Sequence, residues 1–253
     1  MRVKVNGMLH KVFTILELIA YKKTNTIDAI SAAAGIPRST VHRLLQMLRS
    51  EGIVAHKPNL GYVLTPRLLS IGLEGIAERD VLDVAIPFMR HISTVTQETI
   101  SFSVISGLER ICVYVIEGTH PITRNIRVGS RAPLFRGATG KVIASGLTKH
   151  EQEYMLERYV ADGIFREDEL PKLLGDVNAV AQQGYAVSNG ELVKGGASVA
   201  VSVKDIMNNV VASLSISTLD DRLTPDNFEE FLNLLLDASR QIQETYFVAH
   251  RIS

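Results

Sequence analysis

A short turn between two amphipathic segments near the N-terminus constrains the fold of this chain more than any other feature. The turn is Gly35-Ile36-Pro37, in which the glycine ends one helix and the proline redirects the chain. Thr26 is placed to cap a short helix over 27–34, and apolar residues with helical spacing predict another helix over 38–51. The residues expected to face inward are Ile30 and Ala33 in the earlier helix and Val41, Leu44, Leu45 and Leu48 in the later one.

The segments on either side of these two helices predict a further helix and a β-hairpin. Apolar residues from Val12 to Ile19 indicate a first helix that ends near Lys22-Lys23. After Gly52, residues 53–55 are expected to begin a short strand, and residues 62–64 are expected to form the returning strand after a turn. Helix, helix, turn, helix and hairpin is the order of a winged helix-turn-helix.

Charge is distributed unevenly along the chain, although the net charge is zero. Residues 1–66 carry nine Lys or Arg and three Asp or Glu, a net charge of +6. The remaining 187 residues carry 18 basic and 24 acidic side chains, a net charge of −6. A small basic module joined to an acidic body indicates that only the N-terminal module binds a polyanion such as DNA.

The helix predicted over 38–51 carries a polar stripe opposite its apolar one. Arginine can make bidentate contacts to guanine, and Ser, Thr and His side chains can bond base edges or phosphates. A polar stripe is also usual on any surface helix, but the tight turn, the hairpin and the positive charge favour DNA contact here. Lys57 in the hairpin turn is either a phosphate contact or an ordinary solvated lysine. The residues expected to contact DNA are Arg38, Ser39, Thr40, His42, Arg43, Gln46 and Lys57.

Beyond Pro66 the pattern changes to a linker and then to a larger mixed domain. A helical stretch over 67–79 is predicted to link the two parts, and another helix over 81–96 opens the second. Strands and helices then mix, which predicts an α+β fold with one antiparallel sheet and helices packed on it. The apolar stripe of the linker is Leu68, Leu69, Leu73 and Ile76. The expected domains are 5–66, 67–80 and 81–251. Within the last domain, strands are expected over 99–105, 111–116, 197–203 and 210–217. Further helices are expected over 137–145, around 151–153, and over 169–183 and 225–246.

The sequence lacks the motifs that would indicate a nucleotide site, a metal site or a common hydrolase. Residues 137–141 end in the Gly-Lys of a phosphate loop, but Phe135 stands where that loop needs glycine and Val142 where it needs Ser or Thr. The seven histidines and one cysteine show no metal-binding spacing, and no serine lies in a common nucleophile motif. We therefore expect no catalytic residue, no metal and no cofactor.

Cysteine content and hydropathy indicate the cellular compartment of the protein. With one cysteine, Cys112, no intramolecular disulfide can form, which favours a reducing, cytoplasmic setting. No apolar run approaches the roughly 20 residues of a membrane helix, and residues 1–10 lack the apolar core of a signal peptide. We expect Cys112 to be buried and unreactive in its apolar strand, and we expect no membrane partner.

Several motifs together resemble the IclR family of bacterial transcriptional regulators, over roughly Leu9 to Tyr246. The motifs are 36–45, which is similar to the family's recognition helix, and 61–64, 128–134, 140–141, 184–188 and 215–217. The resemblance implies a DNA-binding transcription regulator, such as a repressor, with a GAF-like C-terminal domain that binds a small-molecule effector. It also implies homodimers that can pair into homotetramers. A two-fold dimer matches an inverted-repeat operator in double-stranded DNA.

The resemblance also places an effector pocket in the C-terminal domain. Ala138 and Thr139 fall at the start of a helix whose free amides suit a carboxylate, although a plain helix start fits these residues equally well. Ser188 stands where relatives often carry an acidic residue, and Ser198 where some carry cysteine. The implied effector-binding residues are Ala138, Thr139, Ser188, Ser198, Ser215 and Ser217, with Phe102 and Leu134 as apolar walls.

The chemistry of these positions predicts the class of ligand. None of them is a lysine or arginine, so an anion would depend on neutral donors and bind with modest affinity. We expect a small organic or aromatic acid held between the helix start and the hydroxyls, and an uncharged aromatic ligand would fit the same cavity. Two other functions stay open at this point, namely an enzyme with a winged-helix appendage and an architectural DNA-binding protein.

Overall fold

The computed structural model describes residues 7–21, 24–74, 79–205 and 207–250, apart from the side chains of residues 21, 69, 72–74, 79–80 and 247–250. The chain divides into two units, Met1–Ala77 and Glu78–Ser253, each of which is described by itself. In the linker stripe, Ile76 and the side chains of Leu69 and Leu73 lie outside the described residues, so that stripe stays a prediction. None of the described helices is long and apolar enough to cross a membrane.

The N-terminal unit contains the predicted helices and hairpin. Its elements are α1 (Met8–Tyr21), α2 (Ile27–Ala34), α3 (Arg38–Ser50), β1 (Val54–Lys57), β2 (Gly61–Leu64) and α4 (Pro66–Glu74). Thr26 caps α2, since its hydroxyl oxygen accepts from the N–H of Ala29 at 3.3 Å. Gly35 ends α2 in the left-handed conformation, with φ 64°. Both features follow from residue type, because a threonine hydroxyl can bond a free amide and glycine adopts positive φ with little strain.

One hydrophobic core holds this unit together. The predicted inward face of α3 is buried in it, as is Ile30 on α2. The prediction for Ala33 was wrong, because Ala33 is exposed and the half-buried Ala34 packs on the core instead. Tyr62 of β2 joins the core, and its N–H donates to the carbonyl of Asn25 at 2.8 Å. The hairpin is thereby fixed to the segment that precedes α2.

The second unit is an α+β fold, as the sequence predicts. Its helices are α5 (Arg79–Thr96), α6 (Gly137–Ser145), α7 (Lys149–Ala161), α8 (Leu170–Gln183) and α9 (Pro225–His250). Its strands are β3 (Thr99–Ser106), β4 (Glu109–Ile116), β5 (Arg131–Pro133), β6 (Tyr185–Asn189), β7 (Gly196–Lys204) and β8 (Val210–Leu219). They form one antiparallel sheet in the order β5-β4-β3-β8-β7-β6. Strands β5 and β6 were not predicted, because they have only three and five residues and show little apolar alternation.

The two faces of this sheet carry different side chains. Because neighbouring residues of a strand point to opposite faces, large apolar residues gather on one face and pack with α5 and α9. The other face carries small residues such as Ala186 and Ala200, which pack against Ala138 and Val142 of α6. Phe102 is fully buried in the core with α5 and α9, so the prediction that it forms a wall of the ligand pocket was wrong.

Leu134 also lies away from the predicted pocket. It is fully buried in a third cluster with residues of α7 and α8, so its assignment as a pocket wall was wrong too. Its N–H donates to the hydroxyl of Tyr159 at 3.0 Å, and that hydroxyl donates to the carbonyl of Leu108. Burial raises the pKa of Tyr159 to about 12. These hydrogen bonds hold the chain that leads into α6.

Candidate functional site

The outer face of α3 presents the side chains that are expected to contact DNA. Its exposed members are Arg38, Ser39, His42, Arg43 and Gln46. Thr40 is half-buried, and Lys57 at the end of β1 is exposed. Because the opposite face of α3 is buried in the core, the exposed residues of this helix form one continuous surface.

The start of α3 combines uncapped amides with a salt bridge. The N-cap residue is Pro37, and no side chain caps the helix. Nη1 of Arg38 lies 2.5 Å from Oδ1 of Asp28, and these side chains are 69% and 66% exposed. A surface ion pair of this kind contributes only about 0–1 kcal/mol, so Arg38 can exchange the carboxylate for a phosphate. Helix-start amides and arginine both bind phosphate groups.

The second unit contains a cavity of about 300 Å³ beside the face of the sheet that carries small residues. Five of the six implied effector-binding residues line it, namely Ala138, Thr139, Ser188, Ser198 and Ser217. Ser215 does not line the cavity, but its Oγ lies 2.8 Å from Oγ of Ser101, which does. The volume is at the lower end of the range of about 300–1,000 Å³ found for small-molecule sites.

Strand pairing brings three of these serines into one row, which we call the serine row. Ser188 lies opposite Ser198 across β6 and β7, and Ser198 lies opposite Ser217 across β7 and β8. Residues directly opposite share a face and have Cβ atoms about 4.5–5.5 Å apart, so the three hydroxyls converge at the cavity. Ser215 shares this face, because it lies two residues before Ser217 on β8, and it is opposite Ser101.

The start of α6 is partly occupied by the protein's own carboxylate. Oε2 of Glu191 accepts from the N–H of Gly137 at 3.0 Å. Nζ of Lys141 lies 2.6 Å from Oε1 of Glu191 and 3.1 Å from Asp176. The expectation that all the helix-start amides are free was therefore wrong for the first one. Ala138 and Thr139, the next two residues of α6, still line the cavity.

Three arginines, Arg110, Arg124 and Arg131, also line this cavity. The expectation that an anion there depends on neutral donors alone was therefore wrong. Nε of Arg110 is buried and has no hydrogen-bond partner among the described residues, and burial lowers the pKa of its guanidinium. Arg131 is paired with Glu109, with Nη1 3.5 Å from Oε2.

The sequence would have indicated Arg110 as a cavity residue if the turn between the two strands of this hairpin had been predicted shorter. The strand predicted over 111–116 left Arg110 outside it, in the connection from the strand over 99–105. In the structure β4 already begins at Glu109. Arg110 and Cys112 are two residues apart on this strand, so they lie on the same face of the sheet. Cys112 is buried, as expected, and burial raises the pKa of its thiol.

Arg124 reaches the cavity from the segment between β4 and β5. The hydroxyl of Thr99 donates to its carbonyl at 3.2 Å, which fixes the backbone of this segment. Its guanidinium lies against Gly196, where an added Cβ would be 2.7 Å from Cζ of the arginine. Glycine at the start of β7 therefore leaves the space that this side chain occupies. No local sequence pattern connects residues so far apart in the chain.

Two family models match the chain. The model described as the IclR helix-turn-helix domain matches residues 8–58, and the model described as bacterial transcriptional regulator IclR C-terminal matches residues 74–244. The first match spans α1 to β1, and the second spans most of the unit that contains the cavity.

Similar proteins agree with these matches. The HTH-type transcriptional regulator KdgR of Dickeya chrysanthemi is 30% identical over 237 residues, which cover 92% of this chain and 78% of that protein. The HTH-type transcriptional repressor AllR of Escherichia coli is 29% identical over 225 residues, which cover 87% and 82%. The structure of an IclR homolog from Microbacterium hydrocarbonoxydans, complexed with 4-hydroxybenzoate, matches 96% of this chain and 100% of its own, with a TM-score of 0.81 and 21% identity. That structural likeness shows that the fold is shared.

The matches decide between the functions that the sequence left open. They span both units, and the relatives are regulators or repressors of transcription rather than enzymes. The family predicted from the motifs is thus confirmed, as is the α+β fold with an N-terminal helix-turn-helix. This chain belongs to the IclR family of DNA-binding transcriptional regulators.

Proposed function

We propose that a small organic or aromatic acid, bound in the cavity of the second unit, controls how this regulator binds its operator. The observation that carries the proposal is that the serine row and the start of α6 line one cavity. Hydroxyls and helix-start amides both donate hydrogen bonds, and a carboxylate accepts them at two oxygens. The proposed effector-binding residues are Ala138, Thr139, Ser188, Ser198 and Ser217, with Ser215 acting through Ser101.

The lining of the cavity also suits the hydrocarbon part of such an acid. Ile126, Leu192 and Val193 contribute apolar side chains to it. They take the place of Phe102 and Leu134, which lie in separate cores. The M. hydrocarbonoxydans homolog was crystallised with 4-hydroxybenzoate, a carboxylate on an aromatic ring. That complex supports an acid of this kind as the ligand here.

We propose that α3 enters the major groove and that the hairpin contacts the backbone beside it. The net charge of +6 over residues 1–66 supports this orientation towards DNA. The exposed face of α3 supplies side chains that can bond base edges, while Lys57 is available for a phosphate. The proposed contacts are Arg38, Ser39, Thr40, His42, Arg43, Gln46 and Lys57.

We further propose that the protein represses transcription as a homodimer on an inverted-repeat operator, with tetramers formed by pairing dimers. One winged helix spans few base pairs, and a two-fold protein matches a two-fold site. AllR, a relative, is named a repressor. Within each chain we assign residues 5–66 to DNA binding, 67–80 to the linker and 81–251 to effector binding. Because the partner is bacterial DNA, we place this activity in the cytoplasm.

A two-stage experiment tests the control of operator binding. Operators are first selected from random double-stranded DNA with the purified full chain, and small acids are screened by thermal shift, since a ligand of the folded state raises Tm. Acids that raise Tm are then added to the protein–operator complex while fluorescence anisotropy is recorded. We expect at least one acid to change the operator Kd. Acids that raise Tm but leave the operator Kd unchanged would contradict the proposal, and chemical conversion of the acid would favour an enzyme.

A further inference from the structure

The arginines at the cavity differ in whether the protein already neutralises them. Arg131 has a carboxylate partner in Glu109, and both side chains are about half exposed, at 50% and 43%. Arg110 has no carboxylate partner among the described residues, and its Nε is buried without a hydrogen bond. A half-buried cation that has no anionic partner and leaves a buried N–H unbonded is destabilising, so a bound anion would remove a cost that the protein alone leaves in place.

Arg124 is a second cation of this kind. Its guanidinium is held against Gly196 at the edge of the cavity, and within the described residues its side chain has no salt-bridge partner. The described lining of the cavity contains no Asp or Glu. The carboxylate of Glu191, which lies beside the start of α6, is already bound by Lys141 and Gly137. Two positive charges at the cavity therefore stay uncompensated.

We infer that the ligand of this cavity is a compact dicarboxylate, with one carboxylate held by the serine row, the start of α6 and Arg124, which lies beside Gly196 at the start of β7, and the other carboxylate held by Arg110 on β4. The inference rests on the proposed function, because it assumes that an acid occupies the cavity. Two unpaired guanidinium groups match two negative charges, and the planar fork of arginine suits a carboxylate. A cavity of about 300 Å³ has room for a compact diacid. Arg110 is thus the residue that determines specificity for a diacid.

Matched pairs of acids test the inference by calorimetry on the full chain. The diacids are succinate, glutarate, adipate and terephthalate, and each is compared with the monoacid of the same carbon skeleton, which is butyrate, pentanoate, hexanoate or 4-methylbenzoate. We expect at least one diacid to bind about tenfold or more tightly than its partner, because a charged hydrogen-bonded pair is worth about one decade in Kd. Equal affinities within every pair would overturn the inference.

Variants locate the second carboxylate. Arg110→Gln should weaken diacid binding about tenfold and change monoacid binding less than about threefold, whereas Arg124→Gln should weaken both about tenfold. The matched control is Arg90→Gln, which removes the same charge from an exposed side chain of α5 that does not line the cavity and should leave both affinities unchanged. Melting curves without ligand verify that each variant is folded. Arginine variants that bind the diacid as tightly as the wild type would also overturn the inference.

The two proposals fail in different ways. Monoacids that bind as tightly as diacids, through Ser198 and Ser217, would leave the acid-controlled regulator standing and refute only the dicarboxylate. A wild-type protein that binds no acid of either class would refute the proposed control by an acid and the dicarboxylate with it.

Discussion

Lys141 and Glu191 form an ion pair at the start of α6, with Nζ of the lysine 2.6 Å from Oε1 of the glutamate. The other oxygen of Glu191 accepts from the N–H of Gly137 at 3.0 Å. Lys141 also lies 3.1 Å from Asp176 on α8, so α6 is linked both to the loop between β6 and β7 and to α8. The protein therefore already holds one carboxylate beside the cavity in which we place the ligand.

Replacing Glu191 with glutamine should strengthen acid binding and weaken the ligand-free fold. The variant removes a negative charge that repels the incoming carboxylate at the start of α6. It also removes a charged hydrogen bond to Gly137 and a partly buried ion pair with Lys141, whose loss should lower the free energy of unfolding by about 1–3 kcal/mol. Calorimetry with the acid and urea denaturation without it measure the two effects.

Asp176→Asn is the matched control for this variant. It removes the same charge beside Lys141, but Asp176 is not hydrogen-bonded to the first amide of α6, which donates to Glu191. We expect it to lower stability with a smaller gain in acid affinity. Equal gains in affinity for the two variants would show that Glu191 does not compete with the ligand at the helix start.

Arg43→Ala should weaken operator binding without destabilising the N-terminal unit. Arg43 is exposed on α3, so its replacement removes no core contact. If Arg43 reads a base, the loss is about 1–3 kcal/mol and specificity relaxes at one position of the operator, whereas a phosphate contact weakens all sequences alike and reduces the salt dependence. Arg49→Ala, in the last turn of the same helix, is the control and should have a smaller effect. Unchanged affinity in Arg43→Ala would argue against α3 as the reading helix.

Tyr159→Phe should destabilise the second unit by about 1–3 kcal/mol, because the buried N–H of Leu134 loses its acceptor. The hydroxyl also gives the wild type an alkaline pH dependence. Its pKa is raised to about 12 in the folded protein from the ordinary value of 10.0, so its contribution is complete below pH 10 and is lost as the pH rises towards 12. Urea denaturation across that interval should show a shallower decline of stability in Tyr159→Phe. Identical declines in both proteins would contradict this role of the hydroxyl.

The full chain should be a dimer, or a tetramer formed from dimers, at micromolar concentration. A two-fold protein matches an inverted-repeat operator, and one winged helix spans few base pairs. Light scattering with and without operator DNA measures the mass. A monomer under both conditions would refute the symmetric complex on an inverted repeat.

Local signals predicted the elements, and contacts distant in sequence decided the site. Thr26 and Gly35 mark the ends of α2, and residues 137–145 were predicted as the helix that the structure shows. Glu191 lies 54 residues after the amide it caps, so no window of sequence could connect the two. Arg110 was not predicted as a cavity residue, because β4 begins at Glu109 and the sequence pattern indicated a start at residue 111.

The most direct test of the account is the operator affinity of the wild type and of Ser198→Ala/Ser217→Ala, measured by anisotropy as acid is added. Both serines line the cavity and neither belongs to the helix-turn-helix, so the double variant should bind operator normally without acid. We predict that acid changes the operator Kd of the wild type, and that the double variant needs about tenfold or more acid for the same change, because two hydrogen bonds to a carboxylate are lost. An identical acid response in the two proteins would contradict the account.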